Sequence, residues 1–132
     1  MVRKKYEVMC VCGSGCIAVY CCLPYVQDGV LPPTAVALMR SRYTAYVLGD
    51  EAYLLRTWHA STRPTTPLSL DPTVKWLTLT IECCEAGEAA DREGWVSFVA
   101  RYKVSGRAQR LQERSYFVRK EGAWLYVNGV VD

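Results

Sequence analysis

The sequence has no run of 18 uninterrupted apolar residues, so no membrane-spanning helix is expected. Its start, Met1-Val2-Arg3-Lys4-Lys5-Tyr6-Glu7, is basic. Cys and Gly punctuate the stretch from Val8 to Tyr20, where a signal peptide would carry an apolar core and a small-residue cleavage site. The expected compartment is therefore the reducing cytoplasm, where clustered cysteines read as metal ligands or redox groups before they read as disulfides. No Cys-x-x-Cys occurs, which disfavours a thioredoxin-like redox site. There is one histidine, His59, so only one side chain has an ordinary pKa near neutrality. No internal repeat or low-complexity segment is present.

What is present is 132 residues, 51% hydrophobic and 22% charged, enough for one globular domain with a core of its own and too apolar for disorder. Seven cysteines are the outlier; five lie between Cys10 and Cys22, and Cys83 and Cys84 are adjacent. The net charge of +3 sits in the first half, where seven basic side chains meet four acidic ones, while residues 67–132 are balanced. That is too mild for nucleic acid, although it leaves room for an acidic partner near the cysteines. Aromatic residues on strands could stack single-stranded nucleic acid, and the balanced second half weighs against it.

The pattern predicts helices first and strands after. Thr34 follows Pro32-Pro33 as an N-cap, and Val36, Met39, Tyr43, Tyr46 and Val47 recur on one helical face up to Gly49. Asp50 caps a second short helix with Leu54, Leu55 and Trp58 as its buried stripe. From Val74 the chain alternates. Trp76, Thr78 and Thr80 are expected on one strand face, and Leu77, Leu79 and Ile81 on the other. Val96, Phe98, Ala100, Tyr102 and Val104 point inward from the next strand. Ser105-Gly106 and Glu121-Gly122 mark hairpins before a third and a fourth strand. The fold class is α+β, helices packed on one face of an antiparallel meander. Cys83 and Cys84 are expected as buried thiols on the first strand.

Cys10-x-Cys12 and Cys21-Cys22, eight residues apart, can converge on one tetrahedral ion, zinc being the natural thiolate partner. Gly13 and Gly15 let the chain turn around it. Disulfides and redox thiols are the competing uses. Cys16 is a fifth thiol within reach that could exchange into the site.

The segment Cys10-Val-Cys-Gly-Ser-Gly-Cys-Ile-Ala-Val-Tyr-Cys-Cys22 resembles the SEC-C motif, Cys-Pro-Cys-Gly-Ser-Gly-Lys-Lys-Tyr-Lys-x-Cys-Cys/His, found at the C-terminus of the translocase motor SecA. That resemblance implies zinc on Cys10, Cys12, Cys21 and Cys22. It departs from the motif at Val11, Cys16, Ile17 and Val19, where Pro and Lys are usual, so docking on an acidic chaperone surface is not implied. Leu38-Met-Arg-Ser-Arg-Tyr-Thr-Ala-Tyr46, Tyr53-Leu-Leu-Arg-Thr-Trp-His59 and Ser61-Thr-Arg63 are similar to the YchJ family of small bacterial proteins. These join a SEC-C motif to a nuclear-transport-factor-2-like (cystatin-like) cone.

The resemblance implies a zinc knuckle over residues 1–25 packed on a cone over residues 26–132, with two or three helices across a curved antiparallel sheet of about four strands. A protein partner at the knuckle and a small ligand in the cone are the expected interactions. Arg40, Tyr43, Tyr46, Trp58, His59 and Arg63, with Tyr116 and Trp124, are the candidate pocket residues. The alternative is a pocket enzyme, isomerase- or dehydratase-like, with His59 as acid/base beside Asp50 or Glu113. Helical geometry allows only one of Arg40 and Arg42 to face the sheet, and a buried one is expected to need a carboxylate.

Overall fold

Local chemistry sets the helices. In the computed structural model, which describes residues 8–131, Thr34 Oγ1 accepts from the Ala37 N–H at 3.1 Å and opens helix α2, Ala35–Leu48. Gly49, at φ 72°, closes it in the left-handed conformation. Asp50 Oδ1 then accepts from the Tyr53 N–H at 3.0 Å and starts α3, Glu51–Arg56, whose acidic first residue and basic last residue both suit the helix dipole. A further short helix, α1 (Leu23–Asp28), carries Pro24 in its first turn and ends at Gly29, φ 74°.

Four strands follow: β1 (Val74–Ala86), β2 (Glu93–Val104), β3 (Arg107–Lys120) and β4 (Ala123–Val131). They pair antiparallel in chain order. Ser105-Gly106 and Glu121-Gly122 both take positive φ at two successive residues, the backbone that matches strand twist in tight hairpins.

Strand β1 departs from simple alternation. Leu77 and Glu82 have no partner on β2, and each interrupts the register as a bulge. The first bulge brings Trp76 onto the same face as Leu79 and Ile81, correcting the expected split, and leaves Leu77 exposed. The second falls just before Cys83 and Cys84. Both thiols are exposed, not buried as expected. They lie on an edge strand whose last five residues are all exposed, Glu82 to Ala86.

Helix α2 lies across the sheet and is buried on almost every side. Toward the strands, Leu38, Met39 and Tyr43 join Val96, Phe98, Ala100, Phe117 and Trp124, and the Trp124 indole N–H donates to Pro33 O at 3.1 Å. Behind it, Ala45 packs with Val26 of α1 and with Tyr53 and Leu54 of α3. The helix therefore hides Ser41, Arg42 and Ala45 as well as the expected stripe. Its first turn sits on bare backbone. The Ala35 N–H donates to Gly87 O at 3.0 Å, and a Cβ at Gly87 would come within 2.8 Å of the Ala35 Cβ.

Candidate metal centre

Residues 8–22 fold into a small knuckle against α2. The Ala18 N–H donates to Val8 O at 2.8 Å and the Cys10 N–H to Cys16 O at 2.9 Å, with Met9 bridged to Ile17. Gly13 (φ 77°) and Gly15 (φ 86°) turn the chain between them. A single 3-10 turn, Ala18–Tyr20, then delivers Cys21, and Cys22 opens α1. The result brings the sulfurs of Cys10, Cys12, Cys21 and Cys22 within 4.8 Å of one another. A tetrahedral ion with bonds of about 2.3 Å spaces its sulfurs about 3.8 Å apart. Cys12 and Cys21 are 3.6 Å apart and Cys21 and Cys22 3.9 Å, so the donor set fits such an ion. Cys10, Cys12 and Cys22 are buried and Cys21 is half-buried.

The electrostatics of the four thiols favour a cation. A hydrogen bond from Cys10, with others from Cys22 and Ser14, pushes the Cys12 thiol far below its ordinary value. Burial lifts Cys21 to about 11, and hydrogen bonding with Cys10 and Cys12 raises Cys22 further still. A divalent ion suits such a set, because it stabilises the charge on all four sulfurs at once.

Neighbouring side chains orient the sulfurs. Arg40 Nη1 donates to Cys12 O at 2.8 Å and approaches Cys12 Sγ at 3.8 Å. Thr44 Oγ1 lies 3.9 Å from Cys10 Sγ, and Ser14 Oγ 3.1 Å from Cys21 Sγ. Arg40 and Thr44 are four residues apart and so share one face of α2. Thr44 was not anticipated as part of the site; its one signal in the sequence is that spacing from Arg40. Cys16 is exposed, and its sulfur lies outside the cluster of four.

The family described as "YchJ, middle NTF2-like domain" matches residues 34–129. The chain belongs to the YchJ family. A UPF0225 protein of Chromobacterium violaceum is 52% identical over 133 residues, covering 98% of this chain and 97% of the relative. A UPF0225 protein of Streptomyces avermitilis is 46% identical over 126 residues, covering 96% and 86%. Among solved structures, a SEC-C motif containing protein from Rhodopseudomonas palustris superposes with a TM-score of 0.83 at 30% identity, covering 93% of this chain and 98% of that one. A SEC-C motif containing protein from Psychrobacter arcticus, at 22% identity and TM-score 0.77 over 96% and 85% of the two chains, shares the fold.

In this YchJ-family chain the remaining candidate residues do not share one pocket. Tyr43, Tyr46 and Trp58 line a cavity of about 210 Å³ between α2 and the sheet, while Arg40 turns to the knuckle. His59 and Arg63 flank a shallow surface depression beyond Trp58, with Arg56 and Lys120. The His59 N–H donates to Tyr126 O at 2.8 Å, and its Nδ1 accepts from the Ser61 N–H at 3.0 Å. Asp50 is committed to its cap, and Glu113 accepts from Ser115, so neither carboxylate is bonded to the imidazole. Tyr116 stands on the outer face, donating to Glu93 and stacked on Trp95, and Trp124 fills the core.

Arg42 is the inward arginine. No carboxylate is within ion-pair distance of it among the described residues, contrary to the expected pairing. Its Nη1 donates to Leu54 O and Thr57 Oγ1, both at 2.8 Å, and its guanidinium carbon lies 5.1 Å from the Trp58 ring centre and 4.6 Å from that of Tyr126. A carbonyl, a hydroxyl and two π faces take the place of a counter-ion. Among the described residues no helix is long and apolar enough to cross a membrane.

Proposed function

We propose that the chain is a zinc-dependent docking module of the SEC-C type, in which a knuckle over residues 1–25, carried on a cone over residues 26–132, engages another protein in the cytoplasm. Zinc is the ion the donor set suits best, since four thiolates make a closed tetrahedral site. Such a site leaves no coordination position for water, so its role is to hold shape. When bound, the ion fixes the knuckle; Arg40, Thr44 and Ser14 hold its sulfurs in place.

One observation carries the docking role. The knuckle turns its four clustered sulfurs inward and leaves apolar side chains outward: Tyr20 is 82% exposed, and Met9, Val11 and Val19 are exposed as well. Val11 and Val19 stand where the SEC-C pattern has Pro and Lys, which replaces a basic contact surface with an apolar one. The partner is therefore one that offers an apolar groove. Arg3, Lys4 and Lys5, which carry much of the sequence's basic excess, lie outside the described residues.

The test pairs two variants in a cross-linking pull-down. Cys21→Ser/Cys22→Ser removes the metal, and Val19→Ser/Tyr20→Ser keeps it while making the surface polar. Metal analysis confirms which variant is loaded. Loss of the same partner in both supports docking. Zinc-free wild-type protein, or a polar-surface variant that keeps every partner, overturns it.

A further inference from the structure

The docking role makes no use of the cavity under α2, and it leaves one edge of a buried cation idle. Arg42 is 4% exposed, and among the described residues it forms no ion pair. Burial works against its charge and lowers its pKa from the ordinary value. Both hydrogen bonds it makes run from Nη1, to Leu54 O and Thr57 Oγ1. Nε and Nη2 share the other edge of the guanidinium, and neither has an acceptor among the described residues. Of the side-chain nitrogens and oxygens described, only the Trp58 indole nitrogen is both sealed and without a partner, so the free edge of Arg42 has open space before it. That space is the cavity, which Arg42 lines beside Trp58 and Tyr126, the two rings that flank its guanidinium.

The chemistry of the walls narrows what this edge receives. Two N–H groups side by side match the two oxygens of a carboxylate. Their attraction is strong here, because little water is left to screen it. Most of the remaining wall is apolar. Trp76 packs against Tyr43 and Tyr46, with centres 5.9 and 5.6 Å away, which suits a ring. The other charge in the lining is Glu113 from β3. Its Oε2 accepts from Ser115, and its Oε1 has no partner among the described residues. Gly129 on β4 gives this carboxylate its seat, because a Cβ there would overlap the Glu113 side chain. Glu113 and Arg42 are not in ion-pair contact. A ligand carboxylate at Arg42 is therefore opposed by Glu113, unless the ligand also brings a donor to the free Oε1.

We propose that this cavity binds a small aromatic carboxylate that also carries a hydroxyl donor, a hydroxybenzoate in class. The carboxylate takes Nε and Nη2 of Arg42, the hydroxyl goes to Glu113, and the ring lies among Tyr43, Tyr46 and Trp76. The cavity volume of about 210 Å³ is adequate for one substituted ring, since about 150 Å³ is enough for an engineered apolar cavity to take up benzene.

Four probes separate the carboxylate from the hydroxyl: 3-hydroxybenzoate, 4-hydroxybenzoate, benzoate and 4-hydroxybenzamide. Each is titrated into the 15N,13C-labelled protein at pH 6 while the arginine Nε–H resonances, assigned through their bonded side-chain carbons, are followed. Arg101, exposed on β2, serves as the control. At least one hydroxybenzoate is expected to move the Arg42 Nε–H signal downfield and leave that of Arg101 in place. It is expected to bind about tenfold more tightly than benzoate and than 4-hydroxybenzamide, each of which lacks one hydrogen-bonded charge contact. Glu113→Gln, its fold checked by the same spectrum, removes the opposing charge and keeps an acceptor. In that variant benzoate is expected to gain about fivefold and the advantage of the hydroxybenzoate to shrink. No movement of the Arg42 signal with any probe up to its solubility limit overturns the proposal. So does benzoate or 4-hydroxybenzamide binding as tightly as both hydroxybenzoates, or benzoate binding no tighter to Glu113→Gln than to the wild type.

Discussion

Replacing Arg40 by methionine tests whether the cone's helix holds the metal centre. Methionine keeps the apolar stem and removes the guanidinium. The loss is one charge-assisted hydrogen bond, Nη1 to Cys12 O at 2.8 Å, and one longer approach to Cys12 Sγ at 3.8 Å. A hydrogen bond to a charged group contributes about 1.5–3 kcal/mol, and the half-buried position of Arg40 argues for the lower end. The sulfur approach adds about 0.5 kcal/mol, as a partly screened charge pair does. Together these come to about 2 kcal/mol, or about thirtyfold in zinc affinity. Groups that orient metal ligands elsewhere have effects of about 10- to 100-fold. Competition against a chromophoric chelator measures the change, with Arg101→Met, exposed on β2, as the control. Affinity within threefold of wild type, with α2 intact by circular dichroism, would refute the reasoning that the helix charge supports the thiolates.

Other outcomes are equally concrete. Chelation of the metal is expected to release amide protection in residues 8–22 while β2 and β3 stay protected, because the main core does not depend on the ion; hydrogen exchange read by NMR checks this. Leu38→Ala, at a position fully buried beneath the knuckle and over the sheet, is expected to cost about 2–5 kcal/mol in urea unfolding. Burial holds the phenols of Tyr43 and Tyr126 at about 12 against an ordinary 10.0. The folded protein keeps protons there that the unfolded chain gives up. Stability contributed by these groups is thus present below pH 10 and falls as pH rises to about 12, which urea midpoints on either side of that window will show.

The parts legible in the sequence are those decided within a few residues. Thr34, Gly49 and Asp50 act through their own backbone and nearest turn, and each caps or closes a helix as its chemistry dictates. The Gly-containing hairpins and the four clustered cysteines are local in the same sense. What the sequence concealed depends on elements far along the chain. The bulges at Leu77 and Glu82 answer to the twist of an edge strand, so strict alternation placed Trp76 on the wrong face and Cys83 and Cys84 in the core. The periodicity of α2 revealed its sheet side alone, because α1, α3 and the knuckle cover its other sides. Arg40 read as a pocket residue because nothing in its surroundings in sequence announces a sulfur 28 residues away.

The hold of α2 on the knuckle also bears on portability. The cysteine segment looks like a cassette, short and self-punctuated, with all four candidate ligands within 13 residues. Yet the cation beside Cys12 and the hydroxyl beside Cys10 belong to a helix that is itself wedged between sheet and satellite helices. Transplanting the cassette to a foreign scaffold would carry the ligands and leave their supports behind. Within this lineage, ligand loop and supporting helix are therefore expected to be inherited as a unit, and a change at Arg40 or Thr44 to call for an answering change in the loop.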